Sequence, residues 1–274
     1  MKSTVDQIIG EISGKEVIMD SWLQDTPSPS LVLIHGFKGF KDWGHWNQLA
    51  EFFSQRGYNF FKFNLSHNGG TADQVIDFPD LEAFGMNNFD LEAKNVSMVL
   101  DYLSSKGLAD RIALIGHSRG GSISILSALE DDRVKALVTL NAVTDIPLWM
   151  ERYDTIEWRK QGVIHIPNAR TGQQMPMYVQ FLEDFERQRT RYDILRRASE
   201  LTVPTLIIHC EDDRVVEVDQ ARRLNELLSD SHLLLIPHGG HTLGSRYPVK
   251  SEMLPAALHQ AAEAINGFIR SIDW

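Results

Sequence analysis

The pentapeptide at residues 116–120 contains a serine whose surroundings favour a role as nucleophile. It reads Gly-His-Ser-Arg-Gly, directly after the apolar run at 111–115 and directly before a predicted helix. A serine on a sharp turn between a strand and a helix presents its hydroxyl at the carboxyl edge of a sheet. Glycines two positions before and after it avoid clashes with the strand and helix, and the helix N-terminus supplies free backbone N–H groups. The pattern therefore predicts that Ser118 is a nucleophile for acyl transfer.

A serine hydroxyl needs a base within hydrogen-bond reach, and a histidine after the last predicted strand is placed to provide it. His241 lies in Gly-Gly-His-Thr, shortly after the apolar run at 232–237. His238 is three residues closer to that strand, but the glycine pair between the two histidines gives the loop freedom to deliver His241. The spacing of these histidines also occurs in metal sites, yet no third ligand stands at useful spacing, so we predict no metal.

The acid that orients the histidine is expected after the penultimate strand. The run at 204–210 is followed by Glu211, Asp212 and Asp213, and three adjacent carboxylates usually form a solvated turn. One of them at the carboxyl edge of the sheet would orient His241 and stabilise its imidazolium.

The segment His35-Gly36-Phe37 closes the first predicted parallel strand. There, the backbone N–H of Phe37 is expected to form a two-donor oxyanion hole with the backbone N–H of Arg119. His35 is expected to hold this loop rather than to catalyse. Residues 38–46 are rich in Lys and Trp, and they either line the acyl side of a pocket or form a surface loop.

The candidate residues of the site follow predicted strands, and these strands alternate with predicted helices along the chain. Continuous apolar runs are typical of strands buried on both faces, as in a parallel sheet. Strands are predicted at 7–12, 15–22, 31–35, 59–65, 111–116, 134–141, 204–210 and 232–237, and helices at 46–53, 88–103, 120–129, 220–228 and after Pro255. This alternation implies an α/β protein with one doubly wound, mostly parallel eight-stranded sheet.

Residues 146–198 interrupt the alternation after the sixth strand. We therefore predict a single core domain from residues 1–145 and 199–274, with 146–198 inserted as a helical cap. Four aromatic side chains of the cap are predicted to form an apolar, substrate-binding wall, the alternative being that they attach the cap to the sheet: Trp149, Trp158, Tyr178 and Phe181.

The composition excludes several classes of protein. The 274 residues include 27 basic and 37 acidic ones, a net charge of −10, with no basic run, so nucleic acid is a poor partner. The single cysteine, Cys210, excludes an internal disulfide and is expected to pack inertly at a strand end. No apolar run is long enough to span a bilayer, and the N-terminal segment does not resemble a signal peptide. We expect a cytoplasmic protein without a membrane partner.

Four motifs in this order resemble the α/β-hydrolase superfamily, and most closely its dienelactone-hydrolase-like and prolyl-oligopeptidase-like esterases that carry a cap. They are His-Gly-Phe at 35–37, Gly-His-Ser-Arg-Gly-Gly at 116–121, the strand and acid segment at 207–216, and Gly-Gly-His-Thr at 239–242. The resemblance implies the α/β-hydrolase fold over nearly the whole chain. The family's acid pattern places the aspartate at Asp213, although Cys210 replaces the usual glycine.

The resemblance and the motifs together predict a serine hydrolase that cleaves acyl esters through a Ser118–His241–Asp213 triad and an acyl-enzyme, without a cofactor. The expected partner is a small acyl ester. Amidase or aminopeptidase, thioesterase and acyltransferase activities remain alternatives, because the triad serves all of them. A binding protein on this scaffold would ordinarily lack a triad member, and none is missing here. The oligomeric state does not follow from the sequence.

Overall fold

The computed structural model describes residues 2–274 and contains an eight-stranded sheet and a separate two-stranded sheet. The strands are β1 (Lys2–Ile12), β2 (Lys15–Leu23), β3 (Ser30–Ile34), β4 (Asn59–Asn64), β5 (Ile112–His117), β6 (Val134–Leu140), β7 (Val163–Pro167), β8 (Gln174–Tyr178), β9 (Thr205–Cys210) and β10 (Ser231–Ile236). The large sheet has the order β1-β2-β4-β3-β5-β6-β9-β10. From β4 to β10 the neighbouring strands are parallel, and β1 and β2 form an antiparallel hairpin whose second strand pairs with β4. The predicted sheet is confirmed.

The central strands are apolar on both sides because helices cover both faces of the sheet. In β3, Leu31 and Leu33 join one apolar cluster, whereas Val32 and Ile34 join another on the opposite face. Side chains alternate between the faces of a strand, so a continuous apolar run fits this position.

The helices are α1 (Trp46–Ser54), α2 (Leu81–Gly85), α3 (Phe89–Ser105), α4 (Arg119–Glu130), α5 (Ile146–Met150), α6 (Thr155–Gln161), α7 (Val179–Arg187), α8 (Arg189–Tyr192), α9 (Ile194–Arg197), α10 (Asp219–Leu227) and α11 (Ala256–Ser271). The apolar sides of α1 and α11 cover the face of Leu31, and those of α3, α4 and α10 cover the face of Val32. The fold is therefore doubly wound, as predicted.

The segment between β6 and β9 leaves the sheet, as the sequence predicts. It holds α5 to α9 and also a β-hairpin of β7 and β8, which the sequence pattern does not predict. Pro167 and Pro176 lie in this hairpin, and prolines are tolerated there because each strand of a two-stranded sheet has a free edge. The division into a core and a cap at 146–198 stays a prediction.

The first strand is longer than predicted. It begins at Lys2 rather than at residue 7, and its pairing with β2 shifts register between Thr4 and Gln7. Asp6 in this irregularity has a φ of 52°, which breaks the alternation that would indicate a strand. Within residues 2–274, no helix has the length and apolarity that a membrane span requires.

Candidate functional site

Ser118 occupies a strained turn between β5 and α4, with φ 55° and ψ −122°. The strand before this turn and the helix after it pack so closely that only glycine fits at two neighbouring positions. A Cβ on Gly116 would lie 2.3 Å from Ser124 Oγ, and one on Gly120 would lie 2.3 Å from the carbonyl oxygen of Ile34. Side chains at these two positions would displace the strand or the helix, so the glycines hold Ser118 at the carboxyl edge of the sheet.

The loop after β10 brings His241 to Ser118, and the loop after β9 brings Asp213 to His241. His241 Nε2 lies 2.9 Å from Ser118 Oγ, and His241 Nδ1 lies 2.8 Å from Asp213 Oδ2. Burial raises the pKa of Asp213, but hydrogen bonds from His241 and from the backbone N–H groups of Val215 and Val216 outweigh it and hold the pKa below its ordinary value. The carboxylate is therefore ionised and fixed in orientation at neutral pH.

The neighbouring Asp212 has a different partner. Its Oδ1 accepts hydrogen bonds from the backbone N–H groups of Gly239, at 3.0 Å, and Gly240, at 2.7 Å. It thus holds the loop that carries His241 without contacting the imidazole. His238 lies at the surface, with 91% of its side chain exposed.

Two further side chains, for which the sequence predicts no role in the site, hold His241 by its backbone. The carbonyl oxygen of His241 accepts hydrogen bonds from His117 Nε2 at 2.8 Å and from Asn141 Nδ2 at 2.9 Å. Asn141 follows β6, has a φ of 46°, and also joins the carbonyl of Gly240 to the backbone N–H of Cys210. An asparagine at the end of a buried parallel strand is the sequence signal that would have found it.

His117 and Cys210 are buried in their uncharged forms. Burial, with the nearby His241, lowers the pKa of His117 to about 3. Burial raises the pKa of the Cys210 thiol to about 11, so the thiol is inert at neutral pH, as expected.

The loop predicted to supply an oxyanion donor lies against Ser118. A Cβ on Gly36 would be 2.9 Å from Ser118 Cβ. His35 holds this loop, as predicted: its Nδ1–H donates to the carbonyl of Gly36 at 3.0 Å, and its Nε2 accepts from the backbone N–H of Leu65 at 3.3 Å. Burial lowers the pKa of His35 to about 4, so this ring is neutral. Among the hydrogen bonds of residues 2–274, the backbone N–H groups of Phe37 and Arg119 are not donors.

The side chain of Arg119 is buried beneath the site. Its guanidinium pairs with the buried carboxylate of Glu92 and lies 4.4 Å from the centre of the Phe37 ring. Asn87 donates a second hydrogen bond to Glu92 at 2.6 Å. Burial raises the pKa of Glu92, although Arg119 and Asn87 oppose this. This cluster holds the Arg119 side chain, next to Ser118 in the chain, against the ring of Phe37.

A cavity of about 300 Å³ opens beside Ser118 and His241. Aromatic walls come from Phe37, Trp43 and Trp46, and cations come from Lys38 and from Arg170 in the turn between β7 and β8. The complete lining is His35, Gly36, Phe37, Lys38, Gly39, Trp43, Trp46, His117, Ser118, Asn168, Ala169, Arg170, His241 and Thr242. A larger cavity of about 580 Å³, beside His45 and the 244–255 loop, is lined by neither Ser118 nor His241, so we assign the candidate site to the smaller cavity, which both residues line.

The structure corrects the predicted apolar wall, because Trp149, Trp158, Tyr178 and Phe181 do not line this cavity. Trp158 and Phe181 are 0% and 1% exposed in the apolar cluster, and the Trp158 indole donates to the carbonyl of Met177. Trp149 packs behind Phe37, and the Tyr178 hydroxyl donates to Glu82. These aromatic residues attach the inserted segment to the core, which is the alternative that the sequence left open.

In the part of the chain that the structure describes, no group of three or more His, Cys, Asp or Glu side chains is placed to hold a metal ion.

Comparisons with known proteins agree with this architecture. The sequence pattern of the alpha/beta hydrolase family matches residues 31–250, which include Ser118, Asp213 and His241. A 2-hydroxy-6-oxo-6-(2'-aminophenyl)hexa-2,4-dienoic acid hydrolase from Metapseudomonas resinovorans is 22% identical over 252 residues, 83% of this chain and 82% of that protein. Est1E from Butyrivibrio proteoclasticus superposes with a TM-score of 0.74 at 18% identity, over 97% of this chain and 98% of Est1E. Est1E with bound ferulic acid gives a TM-score of 0.73 at 19% identity, over 96% of this chain and 98% of that one.

Proposed function

Because this chain belongs to the alpha/beta hydrolase family, we propose that it is a serine hydrolase that cleaves carboxylic esters of small molecules. One observation carries the proposal. Ser118 Oγ, the imidazole of His241 and the carboxylate of Asp213 form a continuous hydrogen-bonded chain, with distances of 2.9 and 2.8 Å. This geometry suits general-base activation of a serine.

In the proposed reaction, His241 Nε2 accepts the proton of Ser118 as Oγ forms a bond to the ester carbonyl carbon. The resulting oxyanion accepts hydrogen bonds from the backbone N–H groups of Phe37 and Arg119. His241 then donates its proton to the alcohol oxygen, the bond between that oxygen and the acyl carbon breaks, and the acyl group stays on Ser118. A water molecule repeats these steps and releases the acid.

The surroundings of His241 support this cycle. The ring of His117 lies 5.1 Å from that of His241, and a positive charge there would oppose the imidazolium that forms during the reaction. Because the pKa of His117 is about 3, this ring carries no charge at neutral pH. Asp213 supplies a negative charge in direct contact with the imidazole.

We also propose that residues 146–198 act as a cap on the core formed by 1–145 and 199–274. Support comes from Asn168, Ala169 and Arg170, since these three line the cavity from the inserted segment. Selection of the acyl or alcohol group by the cap would then depend on the turn between β7 and β8.

A second candidate is hydrolysis of a carbon–carbon bond in a 2-hydroxy-6-oxo-dienoic acid. The relative from Metapseudomonas resinovorans favours it, because the substrate in its name contains no ester and the match covers 83% of this chain. Amide, thioester and acyl-transfer chemistry are further outcomes of the test below, since they use the same three side chains.

The test combines covalent labelling with a substrate panel. A fluorophosphonate probe should modify Ser118, identified by mass spectrometry of the labelled peptide. Ser118→Ala should fold normally and lower kcat for p-nitrophenyl butyrate by about 10³-fold or more. Ser97→Ala changes an exposed serine of α3; it is the matched control and should keep full activity.

Labelling at another residue, or an active Ser118→Ala variant, refutes the serine mechanism. Faster turnover of a dienoic acid, anilide or thioester than of the ester refutes the assigned substrate class.

A further inference from the structure

The charge of the candidate cavity differs from that of the whole chain. The chain carries a net charge of −10, yet no Asp or Glu is among the residues that line the cavity beside Ser118. Two cations, Lys38 and Arg170, line it instead, and the histidines His35 and His117 are neutral. An anionic group therefore meets attraction in this cavity and no direct carboxylate repulsion.

The two cations are not equivalent. The guanidinium of Arg170 pairs with Asp77 and lies over the rings of Phe40, at 5.7 Å, and Tyr247, at 5.1 Å. This arrangement already supplies Arg170 with a counterion. Within residues 2–274, Lys38 has no carboxylate oxygen within 4.0 Å of its Nζ.

Lys38 is held in position on the rim of the cavity. Its backbone has a φ of 57°, directly after the residue proposed as an oxyanion donor. Its Nζ donates to the carbonyl oxygen of Pro167, at 3.1 Å, and lies 5.8 Å from the centre of the Phe37 ring. An ammonium group has three N–H donors, so two remain for a ligand. Burial lowers the pKa of Lys38, which indicates partial loss of hydration without a compensating anion.

We infer that the substrate is a short ester that carries a carboxylate, and that Lys38 is the specificity-determining residue that pairs with this carboxylate. The inference rests on the proposed function and specifies its substrate class. The cavity volume of about 300 Å³ fits a small molecule, and Trp43 and Trp46 provide walls for the apolar atoms between the ester and the carboxylate. A partly desolvated ammonium pairs with an anion more strongly than one in water does.

The experiment compares each acidic ester with its neutral primary amide. Monoethyl glutarate places the carboxylate on the acyl side, and 4-acetoxybutyrate places it on the alcohol side. For at least one pair, the wild-type enzyme should show a kcat/KM about tenfold or more higher for the acid than for the amide.

Lys38→Met should lower this acid-to-amide ratio of kcat/KM about tenfold, mainly by raising KM for the acid. Lys38→Arg, which keeps a positive charge, should retain most of the wild-type ratio. Lys135→Met, at the opposite end of the sheet, is the control and should leave the ratio unchanged.

A binding measurement separates this inference from the proposed reaction. Ser118→Ala should bind the preferred acid more tightly than its amide in calorimetric titrations, and the preference should disappear when Lys38→Met is added. If the wild-type enzyme cleaves neither these two esters nor p-nitrophenyl butyrate but the binding preference persists, the proposed ester hydrolysis is wrong and the role of Lys38 stands. If the acid and the amide bind equally, or the preference survives in Lys38→Met, the inference is overturned.

Discussion

Asp212 and Asp213 are adjacent in the sequence and bind different groups. Asp213 Oδ2 lies 2.8 Å from His241 Nδ1, whereas Asp212 Oδ1 accepts two backbone N–H groups of the loop before His241. We expect Asp213→Asn to lower kcat by about 10³-fold or more, because an amide at this position favours the wrong imidazole tautomer. Asp212→Asn retains the accepting Oδ1 and should keep most of the activity. Steady-state kinetics on a neutral ester will compare them, and equal losses in the two variants would refute the assignment of the acid.

Asn141 connects three elements of the site through one side chain. Its amide nitrogen donates to the carbonyls of Gly240 and His241, and its amide oxygen accepts from the backbone N–H of Cys210. Asn141→Asp keeps the accepting oxygen but places a second carboxylate oxygen against two carbonyls. We expect the His241 loop to shift and kcat/KM to fall about 10- to 100-fold, with far-UV circular dichroism unchanged. Wild-type kinetics in this variant would show that the loop does not depend on Asn141.

At the scale of elements, the parallel strands explain why residues so distant in sequence meet. Ser118, Asp213 and His241 follow β5, β9 and β10, and the carboxyl ends of parallel strands lie along one edge of the sheet. The predicted positions of the strands in the sequence were therefore enough to predict that these three residues lie close together. The sequence left open whether residues 38–46 line a pocket, and Lys38, Trp43 and Trp46 do so. It did not identify Arg170 as a neighbour of the same cavity, because the hairpin of β7 and β8 reaches the site through tertiary contacts that no local pattern encodes.

The sequence predicts that the aromatic residues of the inserted segment line the cavity, because the segment follows the sixth strand, does not join the sheet and is rich in aromatic side chains. Burial, which composition does not reveal, decides their role: Trp158 stacks on Phe181 inside the core. Trp158→Ala should lower the free energy of unfolding by about 3–5 kcal/mol, measured by chemical denaturation. The ratio of kcat/KM between short and long acyl esters should not change.

Ala169→Phe provides the matched opposite case in the same segment. Ala169 is exposed and lines the cavity, so a phenyl ring there should narrow the space available to the substrate. We expect stability close to wild type and a change of about tenfold or more in the short-to-long ratio. If Trp158→Ala changes the selectivity and Ala169→Phe does not, the result would support the prediction that the aromatic residues form the wall of the cavity.

At the scale of the whole molecule, the sequence predicted the sheet well because the central strands have to satisfy burial on two faces at once. Strands such as β3 and β5 are buried throughout, and this constraint appears in the sequence as continuous apolar runs. The hairpin of β7 and β8 has mixed exposure and two prolines, so it lacks that signature. The identity of buried polar partners, such as Arg119 with Glu92, depends on the packing of the complete fold.

The buried histidines link the stability of the whole molecule to pH. Burial is the main cause that lowers the pKa of His35 to about 4 and that of His117 to about 3, whereas histidine in the unfolded chain titrates near 6.5. Below pH 6.5 the unfolded chain therefore binds more protons than the folded protein. Stability must fall as pH decreases, until about pH 4 for His35 and about pH 3 for His117.

For each of these two histidines, the free energy of unfolding should fall by about 1.4 kcal/mol as the pH decreases from 6 to 5, before most carboxylates titrate. Chemical denaturation at several pH values will give the slope of the unfolding free energy against pH. We expect this slope to correspond to the uptake of at least two protons on unfolding.

His35→Asn should reduce the slope by about one proton, whatever its effect on stability at neutral pH, because the variant removes one group that titrates only on unfolding. His238→Asn, at a side chain that is 91% exposed, is the control and should leave the slope unchanged. A flat profile between pH 6 and 5 would mean that His35 and His117 are accessible to protons in the folded protein, and would remove the argument that His117 stays neutral beside His241.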